Sequence, residues 1–207
     1  MQEAKTAMRE AKAAARTHLL AARNAMPGEA RGHADLATWK ALRDFLIEAV
    51  DEGAVIAAYR PFGSEPGAAL EPELPERLAV VYKVLLPVLL PDKDLAWQEA
   101  GGPGGQGEPD ANSVGGDGPR PGGQTYGPDA IGQVAAVIVP GLAVSNDGIR
   151  LGRGGGSFDR ALARVGPEVP VVALLRDGEF GVQVPAEPHD RAVTGVITPR
   201  LGFRSLR

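Results

Sequence analysis

Apolar Met8, Ala11, Ala15, Leu19, Ala22 and Met26 recur at three- and four-residue steps through "EAKTAMREAKAAARTHLLAARNAM", which predicts a helix with one continuous apolar stripe. Pro27 and Gly28 stop it. A second face of that helix carries Lys5, Arg9, Lys12 and Arg16 at the same helical steps. Charge runs of this kind usually form a solvated face. Trp39, Leu42, Phe45, Leu46 and Ala49 then predict the buried stripe of a second helix that ends near Gly53.

A strand is expected next, because "AVIAAY" at 54–59 is short and apolar and is closed by the breaker-rich "RPFGSEPG". The later runs "AVVYKVLLPVLL", "VAAVIVP", "PVVALL" and "VTGVIT" are continuous more than alternating, as strands covered on both faces tend to be. With helices interleaved, this order predicts a single layered α/β/α domain over residues 1–207, with a mainly parallel, mixed-edge, Rossmann-like central sheet. Residues 101–127 break the pattern: they contain eleven glycines and four prolines. Such a segment buries too little apolar surface to offset its ordering entropy. A flexible loop is expected there, either a lid over a site or a tolerated insertion.

Composition narrows the classes. A chain of 207 residues has enough core to fold without staples. It has no cysteine, which excludes disulfides, thiol catalysis and thiolate metal sites. No stretch reaches the apolar length of a membrane span and the N-terminus lacks an apolar signal core, so a soluble, cytoplasmic chain is expected, without membrane partners. The net charge of −4 argues against general nucleic-acid affinity. Its distribution is uneven: residues 61–145 carry four Lys/Arg against eleven Asp/Glu, and residues 146–207 carry nine against seven. An anion site is therefore expected toward the ends of the chain.

The densest candidate is "RLGRGGGSFDR" at 150–160, where Arg150, Arg153 and Arg160 surround Gly152, Gly154, Gly155 and Gly156. In its context, "VAAVIVPGLAVSNDGIRLGRGGGSFDRALARV", it reads as strand, loop and helix start, with Gly156 or Ser157 near the cap and Asp159 in the first turn. Glycines let backbone N–H groups converge on an anion, and a phosphate suits such a loop; a plain structural turn has the same composition. A Walker loop is excluded because no lysine follows the glycines. A dinucleotide fingerprint starting at Gly152 fails at Ser157, and a nucleophile elbow centred on Ser157 fails at Asp159. Asp159 itself either favours the helix start and pairs with an arginine or helps to hold Mg2+ beside phosphate oxygens. Elsewhere, His18 and His33 have no ligand-like neighbours, while His189, Asp190 and Arg191 share a proline-rich loop between two expected strands. Glu65, after the first strand, occupies the same kind of position.

Taken in order, "KTAMR", "YRPFGSEPG", "LLPVLLPDKDLAW" and "VPGLAVSNDGIRLGRGGGSFDR" resemble the 5-formyltetrahydrofolate cyclo-ligase family over residues 5 to about 198. The resemblance implies an ATP- and Mg2+-dependent conversion of 5-formyltetrahydrofolate to 5,10-methenyltetrahydrofolate, with release of ADP and phosphate through a phosphorylated formyl intermediate. Such a reaction requires positioning and charge neutralisation more than a protein nucleophile. By the same resemblance, Lys5 and Arg9 match a nucleotide-contacting Lys-x-x-x-Arg. Arg150, Leu151, Gly152, Arg153, Gly154, Gly155, Gly156, Ser157 and Phe158 match the phosphate loop, with Arg153 neutralising transferred charge. Asp159 matches a magnesium carboxylate and Asp190 a second acidic residue near the metal. Glu65 matches a folate-associated glutamate, with Phe62 and Trp97 offering ring surface to the substrate. Trp97 serves equally well as a core anchor.

Three departures accompany the likeness. Gly155 stands where the family frequently has lysine, Ser157 and Phe158 replace two tyrosines, and Arg120 precedes Pro121 where an acidic residue is usual. The main expectation is an active monomeric ligase. The competing one is a reduced-folate-binding protein that kept the pocket and lost turnover, and a weaker third is another ATP-dependent ligase or phosphotransferase on the same scaffold.

Overall fold

A computed structural model describes residues 2–101, 124–187 and 190–207, with side chains from residue 6 onward. Most of the glycine-rich stretch, with Arg120 and Pro121, lies outside the described residues, as do His189 and the side chain of Lys5. Two long helices come first, α1 (Gln2–Ala25) and α2 (Gly28–Ala49). They are followed by β1 (Val55–Ala57), α3 (Leu74–Leu78), β2 (Lys83–Leu89), β3 (Leu95–Glu99) and β4 (Thr125–Tyr126). A 3-10 turn (Pro128–Gln133) leads to β5 (Ala136–Pro140), β6 (Ala143–Val144), β7 (Arg150–Leu151) and α4 (Ser157–Leu162). The chain closes with β8 (Val171–Leu174), β9 (Gly195–Thr198) and β10 (Gly202–Ser205).

Among the described residues, the main sheet has eight strands in the order β10-β9-β8-β5-β1-β2-β3-β4. Its centre is parallel, β2 with β1, β1 with β5, β5 with β8 and β8 with β9. β3, β4 and β10 join antiparallel at the edges. Successive side chains along a strand point to opposite faces. Ile56, Val84, Ile138, Val172, Leu174 and Ile197 meet Leu42, Phe45 and Leu46 of α2 and Leu74 and Leu78 of α3. Ala57, Leu85, Val137, Val139, Ala173 and Val196 meet Ile131, Ala161 and Leu162 on the other side. Both faces are therefore dry, and the strand runs lose their alternation. The expected layered α/β architecture is the one observed.

Three details differ from the sequence reading. β4, antiparallel to β3, falls inside the stretch expected to be loop. Thr125 and Tyr126 pair with Gln98 and Trp97, so a neighbour supplies the order that the composition lacks. On α1 the expected apolar stripe packs only in part: Ala15 and Leu19 meet the domain, but Ala11 and Ala22 are exposed, while Lys12 is 7% and Arg23 3% exposed. On α2, Ala49 is exposed and Val50 occupies the core instead. Among the described residues, no helix is long and apolar enough to cross a membrane.

The topology places a crevice. From β1 the chain passes to β2 on one side, whereas β5 leads to β8 and β9 on the other. Loops leaving the carboxyl ends of β1 and β5 thus diverge, and in open α/β sheets ligands bind at such a switch point.

Candidate functional site

A cleft of about 560 Å³ opens at this switch point. Tyr59, Arg60, Phe62 and Glu65 line it after β1, and Pro140 and Gly141 at the end of β5. Lys12, Arg16 and Arg23 reach it from α1, the segment from Arg150 to Asp159 forms another wall, and Glu187 and Asp190 complete it. Its lining holds six Lys/Arg against four Asp/Glu, so an acidic chain carries a locally cationic cleft, assembled from both its ends.

The glycine loop hangs from the β6–β7 hairpin. Arg150, in β7, is 8% exposed; its guanidinium donates to the Pro140 carbonyl at 3.1 Å and to Asp159 Oδ1 at 3.2 Å. Its Cζ lies 5.6 Å from the Phe158 ring centre. Arg150 therefore ties the strand before the loop to the helix after it. Burial lowers the proton affinity of its guanidinium, and the Asp159 charge opposes that shift. Gly156 caps α4 at φ 71°, and Gly154 sits at φ 102°, where an added Cβ would come within 3.3 Å of the Arg16 Cζ. Both positions lie in the left-handed region that favours glycine. Arg16 fastens the loop from the side by donating to the Gly152 carbonyl at 2.9 Å.

On α1, Lys12 donates to Glu187 Oε2 at 2.9 Å and to Asp190 Oδ2 at 3.1 Å. Burial would lower its pKa, yet the two carboxylates outweigh burial and raise it. One turn beyond Leu19, Arg23 grips both oxygens of Glu179 at 2.7 Å and donates to the Gly141 carbonyl. The cationic side of α1 faces inward because its partners are carboxylates and carbonyls, with Ala15 and Leu19 packed on Ala143, Leu151 and Val184 beside them.

Across the cleft, the Glu65 side chain is 5% exposed. It accepts from the Phe62 N–H at 3.2 Å and from Arg153 Nε at 3.0 Å; Arg153 lies over the Phe62 ring at 4.5 Å. Burial raises the Glu65 pKa, and Arg153 and the Phe62 N–H only partly oppose it. A carboxyl whose pKa rises on folding binds its proton more tightly in the folded chain, so stability falls as pH climbs from the ordinary carboxylate range, about 4, through the folded value. Glu65→Gln removes that dependence. Thermal melts should show a Tm advantage of the variant that widens as pH is raised from about 4 to 7; parallel Tm profiles would refute the buried-charge assignment.

Phe62, Glu65, Asp190 and the whole of Arg150–Asp159 line one cleft. Two expected residues do not join them. Arg9 is exposed and forms no part of the cleft wall. Trp97 is 0% exposed and packs among Leu85, Leu95 and Val137, so its ring is a core anchor and is not presented to a ligand. Conversely, Lys12 and Arg16 have the same Lys-x-x-x-Arg spacing as Lys5 and Arg9, seven residues further along, and it is they that line the cleft. That repeat of spacing was the available signal. Among the described residues no cluster of three or more His, Asp or Glu forms a metal cage. Asp159 and Asp190 do line the same cleft, a donor set that suits a hard cation held chiefly by phosphate oxygens and water.

A family model described as the 5-formyltetrahydrofolate cyclo-ligase family matches residues 8–199, a range that begins beyond Lys5. A 5-formyltetrahydrofolate cyclo-ligase of Mycolicibacterium smegmatis is 38% identical over 199 residues, covering 93% of this chain and 95% of its own. Among solved structures, a 5,10-methenyltetrahydrofolate synthetase from Mycoplasma pneumoniae superposes with a TM-score of 0.69 at 20% identity, covering 91% of this chain and 99% of that one. The corresponding synthetase from Aquifex aeolicus gives a TM-score of 0.74 at 23% identity, covering 95% and 93%. These two share the fold.

Proposed function

Because the chain belongs to the 5-formyltetrahydrofolate cyclo-ligase family, we propose that its cleft closes 5-formyltetrahydrofolate to 5,10-methenyltetrahydrofolate at the expense of ATP. The observation that carries this reading is Arg153, whose guanidinium joins the glycine loop to Glu65 and so puts a phosphate subsite and a substrate carboxylate in reach of one cation. Lys12 and Arg16, taking the part first given to Lys5 and Arg9, approach the triphosphate from α1, and the backbone N–H groups of Gly152–Gly156 approach it from the loop. Glu65 accepts from the polar edge of the pterin, and Phe62 provides a flat apolar face. In the proposed reaction the formyl oxygen attacks the γ-phosphate, ADP leaves, and the neighbouring folate amine then attacks the activated carbon and expels phosphate. The protein aligns the two substrates and neutralises charge as it moves.

Magnesium fits the site as a companion of the nucleotide: Asp159 and Asp190 would hold it, and it would supply neutralising charge at the phosphates. Gly155 removes one cation from the loop, and Lys12 and Arg16 compensate from the side. Phe158 lacks a hydroxyl that a tyrosine would bring, a change on the scale of about 1 kcal/mol, and its ring is used against Arg150. The test is the growth of methenyl-folate absorbance when purified protein meets 5-formyltetrahydrofolate. Growth is expected only with Mg-ATP. A flat trace with folate binding still detectable by calorimetry would replace the ligase with a reduced-folate binder.

A further inference from the structure

We infer that Asp35 and Arg176, neither of which lines the cleft, are positioning residues that aim Glu65 at the substrate. Arg176 follows β8 and is 2% exposed; Asp35 lies in α2 and is 0% exposed. Arg176 Nη1 donates to Asp35 Oδ1 at 2.5 Å, and its Nη2 donates to the Glu65 carbonyl at 2.9 Å and the Ser64 carbonyl at 3.3 Å. Asp35 uses both oxygens, accepting the Gly67 N–H at Oδ1 and the Ala69 N–H at Oδ2, each at 2.8 Å. One ion pair thus holds four backbone groups of residues 64–69 from behind, while the Glu65 side chain points forward to Arg153.

The segment needs such a brace. Its own hydrogen bonds are short turns, Glu65 N–H to Phe62 and Ala68 N–H to Glu65, which shape the loop without fastening it to the domain. Tyr59 adds one long contact, its hydroxyl 3.4 Å from the Pro66 carbonyl. Burying an ion pair costs desolvation that apolar residues of similar volume would not incur, so what it provides here is a fixed backbone more than added stability. Most of the phosphate side has separate supports: Arg16, Arg150 and Lys12 make no bond to Asp35 or to the Arg176 side chain. Loosening the brace should therefore misplace Glu65 and reach the nucleotide subsite only through Arg153, which bonds Glu65 directly.

This inference rests on the reading of Glu65 as a folate residue, and steady-state kinetics with each substrate varied separates the two. Asp35→Asn, nearly isosteric, and Arg176→Met should each raise KM for 5-formyltetrahydrofolate about tenfold, the scale of a lost charge-assisted hydrogen bond, and change KM for ATP far less. Arg176→Lys, which keeps the charge without the fork, should restore only part of the affinity. In a Glu65→Ala background, Arg176→Met should add nothing further to the folate KM. If Glu65→Ala raises the folate KM while Asp35→Asn and Arg176→Met only lower Tm, or if the effects simply add in the double variant, the brace has no positioning role. If Glu65→Ala leaves the folate KM unchanged, the folate reading of Glu65 falls and the inference with it. Should Arg176→Met fail to fold, Asp35→Asn decides alone.

Discussion

Lys12→Ala and Arg16→Ala are each expected to lower kcat/KM for ATP by about a hundredfold or more, whereas Arg9→Ala leaves it near the parent value. Removing a preorganised charged contact to transferring phosphate commonly costs on that order. Lys12 is nearly buried and held between Glu187 and Asp190. Its loss leaves two carboxylates facing an incoming triphosphate, which adds repulsion to the missing attraction. Arg16 contributes a second cation and fixes the Gly152 carbonyl, so its variant also frees the loop. Arg9 sits on the same helix, two turns from Arg16, but is exposed and outside the cleft. Steady-state kinetics with ATP varied at saturating folate measures all three. A collapse in Arg9→Ala with Lys12→Ala unaffected would restore the earlier register of the helix on the nucleotide.

That register shows where the sequence stops being legible. Two Lys-x-x-x-Arg pairs follow one another on one helical face, at 5/9 and 12/16, and helical spacing alone assigns them equally to a ligand. What separates Arg9 from Lys12 and Arg16 is the point at which α1 crosses the switch point, a tertiary fact. The apolar stripe was misleading in part for the same reason. Ala15 and Leu19 pack, but alanines at positions 11 and 22 contribute little burial, and the helix docks also through Lys12, Arg16 and Arg23 because the surface it meets is a cleft lined by carboxylates and carbonyls. The parallel strands were readable because five consecutive apolar runs betray strands with two covered faces. β10, whose residues are mostly exposed, and β4, of two residues, give no such pattern, and both exist through pairing with a neighbour. The glycine loop was readable from composition, and its attachment was not: Arg150, which lines the cleft, also ties the Pro140 carbonyl to Asp159. Trp97 offered ring surface in the sequence and lost it to the core when β3 joined the sheet.

Asp159→Asn is expected to reduce turnover by about two orders of magnitude or more while the protein stays folded, and the choice of asparagine matters. Asp159 is the acidic partner of Arg150, whose side chain is 4% exposed. Truncation to alanine would leave that buried guanidinium without either counter-charge or acceptor, a loss of about 3–5 kcal/mol, so an inactive Asp159→Ala would say nothing about chemistry. Asparagine also removes the counter-charge but keeps an acceptor oxygen for Arg150, so its stability cost should be smaller. What disappears is one of the two carboxylates, with Asp190, that the proposed function assigns to a nucleotide-bound cation, and with it the proposed charge compensation during phosphoryl transfer. The variant should unfold within a few degrees of the parent in thermal melts and require more magnesium for its residual rate. Parent-level activity with unchanged magnesium dependence would instead confine Asp159 to holding Arg150, and the cation would then have to be carried by the phosphates and Asp190.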